Sequence, residues 1–310
     1  MKRKTVAMLC LIAFVATNAI AQGSPKGSAS AAVAFTDARG VAVSMPAKAR
    51  RVVSLSPAIT EILFAAGAGN SVVGVTTYCN FPAAASSIAR IGGFSASTVS
   101  VETILSLGPD LVLGDLAAHG QLAVEFERAG LRFAALESTD FQSVYAALDL
   151  VGRIAGDSGA ASALVASMKA RVEAVRARTP AIATGKRPLV FWETWDEPLM
   201  SAGPGTFIGQ IIEAAGGRNC FADSKADWPV VGFESLLARD PDWIMSSESH
   251  GDAVTLERLA RRPGWSSLKA VRTRQVALFD ADIVSRAGPR FVEALELMSR
   301  RLYPEQYRQP

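Results

Sequence analysis

Between Arg51 and Pro82 the apolar positions switch from one period to another. Val52-Val53-Ser54-Leu55 is a short β-rich run that stops at Ser56-Pro57; Ile59, Ile62, Leu63 and Ala66 then recur at helical spacing until Gly67 ends the helix. Ser71 to Thr77 is again short, apolar and β-branched, as a parallel strand buried on both faces would be, and it runs into Tyr78-Cys79-Asn80-Phe81-Pro82. Two aromatics therefore sit at the carboxyl end of a strand, where open α/β sheets bind ligands. Further strands are predicted at Leu111–Gly114 and Phe133–Leu136, and helices at Val101–Leu107 and Leu122–Ala129. From Phe141 to Ala177 there is no proline, glycine occurs only at 152, 156 and 159, and Leu148, Val151, Ile154, Leu164, Met168, Val172 and Val175 keep helical spacing with at most one break. This predicts one long helix, or two nearly coaxial ones. After Thr179-Pro180 and the Gly185–Pro188 turn a second series begins, with strands at Leu189–Glu193, Trp243–Ser246 and Gln275–Phe279 and helices at Thr206–Ala215, Thr255–Arg261 and Pro289–Leu302. The chain thus divides into a first α/β lobe (45–140), a long connecting helix (141–178) and a second α/β lobe (179–310).

The lobes echo each other. Val101-Glu102-Thr103-Ile104-Leu105 leads through Gly108-Pro109-Asp110 into Leu111-Val112; Phe233-Glu234-Ser235-Leu236-Leu237 leads through Asp240-Pro241-Asp242 into Trp243-Ile244. Each is a helix opening with glutamate, broken by x-Pro-Asp, and followed by a buried strand, which reads as an internal duplication.

The amino terminus adds location. Lys2, Arg3 and Lys4 precede an apolar run from Val6 to Val15 and an A-x-A site at Ala19-Ile20-Ala21, so residues 1–21 read as an export signal cleaved after Ala21, which places the mature protein in the periplasm. Residues 22–44, mostly Gly, Ser, Ala and Pro in their first part, read as a flexible leader. The full chain carries 32 Lys+Arg against 29 Asp+Glu, and the signal removes three positive charges, leaving a formally neutral mature chain. No basic run stands out, which argues against nucleic acid as a partner, and the protein reads as a monomer when free. Cys79 and Cys220 read as two separate thiols, with a bridge between them as the alternative.

Several chemistries are disfavoured. A zinc or manganese site needs three or four His and carboxylate ligands, yet the chain has only His119 and His250, neither in a ligand-spaced motif, so no metal site is expected. There is no G-x-S-x-G elbow and no local signature that selects a triad; an exported α/β enzyme is the reading from a different class, and no catalytic residue is assigned. Gly67-Ala68-Gly69 and Gly203-Pro204-Gly205 read as helix-capping turns. What remains are aromatics in Gly-, Pro- or Asp-rich loops: Tyr78, Phe81, Phe94, Trp195 and Trp228. Such rings offer large, rigid contact area for a flat macrocycle, and each could equally be packing.

The segments SLSPAITEILFAAG, VVGVTTYCNFP, IGGF, VSVETILSLGPDLV, WDEPLMSAG, AAGGRNCFAD, DWPVVGFESLLARDPDWI and DADIVSRAGPR, in this order, resemble the periplasmic cobalamin-binding proteins of ABC importers, within the helical-backbone family that binds cobalamin, haem and ferric siderophores. The likeness runs from about Arg51 to Leu302. It implies two Rossmann-like lobes joined by a single long backbone helix, with a ligand cleft between them and a permease of the inner membrane as partner. No cofactor is implied beyond the ligand, a corrinoid. Residue by residue, it places Tyr78 and Phe94 on one wall, Asp227-Trp228 on the other, Asp282 and Arg286 as a polar pair beside the ligand, and Trp195 as a looser match. It also makes Glu102 and Glu234 the carboxylates that meet permease arginines. The chain departs at Asp115, where the cobalamin binder carries a tryptophan. A ferric siderophore, or haem held through an axial Tyr78, stays open as the alternative ligand.

Overall fold

The structure, a computed structural model, describes residues 32–179, 183–247 and 254–308. The export signal and residues 22–31 of the leader lie outside the described residues, as does His250.

The chain enters through a hairpin. Strand β1 (Val33–Thr36) pairs antiparallel with β2 (Ala42–Met45) around the turn Asp37–Gly40. Phe35, Val43 and Met45 are buried in the main core, and the Asp37 carboxylate accepts hydrogen bonds from the N–H groups of Ala135, Arg39 and Val41. The leader expected over 22–44 is therefore ordered structure from Val33 onward. The reason is alternation: every second side chain faces the core, a period-2 signal that the Ala- and Ser-rich composition obscures.

The first lobe follows: β3 (Val52–Ser54), α1 (Pro57–Ala65), β4 (Val72–Val75), β5 (Ala89–Arg90), α2 (Val101–Ser106), β6 (Leu111–Asp115), α3 (Leu116–His119), α4 (Ala123–Arg128) and β7 (Phe133–Leu136). Its sheet is parallel throughout, ordered β5-β4-β3-β6-β7. Helix α1 starts where Ser56 caps it by accepting from the Ile59 N–H and Pro57 presets the first turn. Its Ile59, Ile62 and Leu63 are almost wholly buried, each stabilising by about 1.5–3 kcal/mol.

The stretch 141–178 is two helices rather than one or a coaxial pair. Helix α5 (Phe141–Ile154) ends at Ala155, and α6 (Ser158–Arg178) restarts with Asp157 as its cap. The second folds back along the first: Ser162 Oγ donates to Asp149 at 3.1 Å, and the Lys169 ammonium lies over the Tyr145 ring. Glycine makes the crossing possible, since a Cβ on Gly152 would sit 2.6 Å from that of Ala161 and one on Gly156 would sit 2.1 Å from the Ala66 carbonyl oxygen. Helix α5 thus belongs to the first lobe, against α1. The single long helix that carries the chain onward is α6, 21 residues and about 31 Å long, which packs on the second lobe and is tied to it by the bidentate pair Arg171–Glu296.

The second lobe comprises β8 (Leu189–Asp196), β9 (Leu199–Ser201), α7 (Phe207–Ala214), β10 (Arg218–Asn219), α8 (Phe233–Arg239), β11 (Trp243–Ser247), α9 (Leu256–Arg261), α10 (Lys269–Arg272), β12 (Val276–Phe279), α11 (Ala281–Val284) and α12 (Phe291–Leu302). Its parallel order β10-β8-β11-β12 repeats β4-β3-β6-β7, and β9 adds an antiparallel hairpin on β8. The sequence echo is a geometric one too. The Asp110 carboxylate accepts from the Arg50 and Arg51 N–H groups at 2.9 and 3.1 Å; the Asp242 carboxylate accepts from the Leu189 N–H at 2.7 Å. Each ties a helix-strand turn to the start of its lobe's first strand.

One apolar cluster runs through both lobes, and each sheet has a smaller cluster on its other face. At the junction Phe141 of α5 stacks on Phe291 of α12 at 4.2 Å between centroids, with Phe207 edge-on to both. Cys79 and Cys220 are buried free thiols in different lobes; burial pushes that of Cys220 up to about 12. Among the described residues no helix is long and apolar enough to cross a membrane.

Candidate functional site

The carboxyl ends of both parallel sheets face a cavity of about 840 Å³ between the lobes. The first lobe contributes Tyr78 from the loop after β4, Phe94 from the loop after β5, Asp115 at the end of β6, and Ser138 and Thr139 after β7. The second contributes Gly205-Thr206-Phe207 where α7 begins, Asp227-Trp228, and Ser285-Arg286-Ala287 after α11. Of the residues expected at a ligand site, Tyr78, Phe94, Asp227, Trp228 and Arg286 therefore line one cavity.

Phe81, Trp195 and Asp282 do not line it. The Phe81 ring lies under the Arg290 guanidinium, 4.1 Å from its carbon. Trp195 belongs to the β8–β9 hairpin, where its Nε1 donates to the Glu197 carbonyl. Asp282 is held by Asn80 and Arg286.

Local hydrogen bonds fix each wall. The tip of loop 92–99 carries Phe94, and the loop's base is closed by the Gly93 N–H donating to the Thr98 carbonyl and the Ser100 N–H donating to that of Ile91. The Asp115 carboxylate caps α3 by accepting from the Ala117 and Ala118 N–H groups, and Ser138 Oγ donates to its other oxygen. His119, one turn on, is fully buried; it accepts from the Asp115 N–H at 3.0 Å and donates to the Phe94 carbonyl at 2.7 Å. On the facing wall, the segment Asp227–Pro229 runs beside the chain leaving β9: the Ser201 N–H donates to the Pro229 carbonyl and the Gly203 N–H to that of Asp227. Gly203 is required there, because a Cβ would lie 2.2 Å from the Ala226 carbonyl oxygen.

Among the described residues Arg286 is the one cation on the cavity wall, and protein groups already engage it. It donates to Glu61 at 3.1 Å, Asn80 at 2.7 Å, Asp282 at 2.6 Å and the Tyr78 carbonyl at 3.2 Å. Arg290 adds a bidentate pair to the same Glu61 and donates to the Asp282 carbonyl. Asp282 and Arg286 are thus part of a clasp across the lobes, centred on a buried carboxylate of α1. The sequence carries a faint sign of Glu61, the lone charge of a mostly apolar helix, but none of its partners more than 200 residues away. Phe207 escaped notice for a similar reason: it falls inside the helix expected over Thr206–Ala215.

Among the described residues no three His, Cys, Asp or Glu side chains are grouped to hold a metal ion. A separate cavity of about 590 Å³ beside Arg176, Arg187 and Glu213 shares none of the cleft residues. Glu102 and Glu234 lie away from the cleft, exposed in the first turns of α2 and α8, where the helix dipole favours a carboxylate. Three residues after each, Leu105 and Leu237 are exposed at matching positions.

Residues 52–283 match the periplasmic binding protein family. The chain is 30% identical to a cobalamin-binding protein of Halobacterium salinarum over 85% of this chain and 72% of that one. It is 29% identical to an uncharacterized ABC transporter substrate-binding lipoprotein of Bacillus subtilis, covering 89% of this chain and 87% of that one. The periplasmic haem-binding protein RhuT from Roseiflexus superposes with a TM-score of 0.73 at 28% identity, over 83% of this chain and 99% of its own.

Proposed function

The chain belongs to the periplasmic binding protein family, and on that premise we propose that this ABC-importer substrate-binding protein is exported to the periplasm and captures cobalamin or a related corrinoid between its lobes. The observation that carries the reading is the character of the cleft. Rings from both lobes, Tyr78 and Phe94 against Phe207 and Trp228, face about 840 Å³, and the polar groups among them are hydroxyls, two carboxylates and one guanidinium already bound to protein. A corrinoid suits this, being broad and flat with a rim of neutral amides that donate to hydroxyls and carboxylates. Haem propionates or a catecholate siderophore would bring negative charge to a wall that, among the described residues, offers Asp115, Asp227 and no uncommitted cation. Relatives that bind cobalamin and haem keep both ligands in view, and one observation favours haem: Tyr78 presents a phenol on the cleft wall, the axial ligand some haem proteins use.

The loaded protein would dock on a permease through Glu102 and Glu234. Two matched carboxylates, each with an exposed leucine beside it, on a pseudo-symmetric body suit a partner with two equivalent subunits. No covalent chemistry is assigned.

Calorimetry and absorbance with cyanocobalamin, haem and a ferric siderophore test the ligand. One cyanocobalamin site per chain is expected; saturable haem binding with no cyanocobalamin binding would replace the corrinoid with the alternative.

A further inference from the structure

Both ring nitrogens of His119 are committed. A backbone N–H can only donate, so Nδ1 accepts from Asp115; a carbonyl can only accept, so Nε2 carries the proton and donates to Phe94. These two partners sit on the cleft wall but come from segments separate in the fold, the tip of loop 92–99 and the end of β6. The hydrogen bonds within the loop close it upon itself. Among the described residues, the bond joining its tip to the rest of the lobe is the one from His119, whose ring also receives the Phe94 ring edge-on at 5.2 Å.

We infer that His119 is a positioning residue for ligand capture: neutral, it holds Phe94 and Asp115 in place on the cleft wall, and on protonation it releases Asp115 and weakens binding. This rests on the cleft being the ligand site. Protonation would turn an Nδ1–H against the Asp115 N–H, replacing a hydrogen bond with a repulsion, while the bond to Phe94 alone survives.

The surroundings favour the neutral ring. Burial pushes its pKa below the usual histidine value, opposed by the bond to the Phe94 carbonyl and by the Asp115 charge. Among the described residues that carboxylate is the one charge acting on it; loop 92–99 and β7 contain none. The unfolded chain therefore takes the proton first. The stabilisation is complete above the ordinary value of 6.5 and is lost as pH falls below it toward the lower folded value.

The test compares the wild type with His119→Leu, which removes both bonds, and His119→Gln, whose amide keeps a donor toward Phe94 and cannot titrate. Cyanocobalamin affinity is measured from pH 7.5 down to 5, alongside hydrogen exchange at the Asp115 amide and through loop 92–99. The leucine variant should bind about tenfold more weakly at neutral pH, the glutamine variant should recover most of that loss, and only the wild type should weaken as pH falls. Wild-type affinity in a folded leucine variant, or identical pH profiles for wild type and glutamine, would overturn the inference. If the wild type binds no cyanocobalamin, the corrinoid reading fails by itself. Hydrogen exchange then decides: unchanged protection of the Asp115 amide and the loop in the leucine variant would overturn the positioning role.

Discussion

At the lobe junction Phe141, Phe207 and Phe291 pack on one another, whereas on the cleft walls Tyr78, Phe94 and Trp228 stand 61%, 41% and 46% exposed. Charge divides the same way. Glu61 is buried and bound twice over by Arg286 and Arg290, while Asp115 and Asp227 face the cavity. The difference teaches which residues hold the lobes and which are available to a ligand. Residue type does not separate them, since both regions are aromatic and charged; a partner in the opposite lobe does, for Glu61 and Phe141 are bound by residues of the second lobe, whereas Asp115 and Phe94 are held within their own. Arg286 and Phe207 belong to both, so neither alone can distinguish the roles.

The largest expected effect is at the junction. Glu61→Ala leaves Arg286 and Arg290 without their buried partner and should destabilise the fold by about 3–5 kcal/mol in denaturant titration. A loss under 1 kcal/mol would break the comparison, because the clasp would then not hold the lobes. Next comes the cleft: Trp228→Ala should cost about 1–3 kcal/mol of corrinoid affinity by calorimetry, with a smaller change in stability. Unchanged affinity would remove Trp228 from the ligand's wall. The smallest effect on fold and binding belongs to a third surface. Replacing both Glu102 and Glu234 with Ala should shift stability by no more than about 0.5 kcal/mol and leave ligand affinity intact, yet impair uptake in cells. Normal uptake by the double variant would refute docking through these residues.

Much of this was legible locally. The runs Val52–Leu55, Leu111–Gly114 and Trp243–Ser246 are apolar enough to be nothing but buried parallel strands, and Ser56-Pro57 marks a helix start without help from the rest of the chain. The duplicated x-Pro-Asp turns could be matched before their carboxylates were seen tying down strands. Illegible parts depended on distant partners. Nothing near Gly152 says that Ala161 will lie against it, so the helical hairpin read as a spacer. Arg286 and Asp282 read as a ligand pair because the resemblance placed them beside the ligand, while Glu61 and Asn80, more than 200 residues earlier, are absent from any local window. His119 looked like an isolated histidine because its two partners are a main-chain N–H and a main-chain carbonyl, which sequence does not distinguish from any others.

The shared aromatic junction also bears on how a transporter could tell a full carrier from an empty one. Rings stacked across the lobe junction and a buried clasp beside it oppose wide opening, so filling the cleft is expected to change the protein's outline little. A permease reading only the spacing of two carboxylates would accept both. Discrimination must then come from the occupant itself, presented at the mouth of the cleft, or from the small stiffening it imposes on the loops around it.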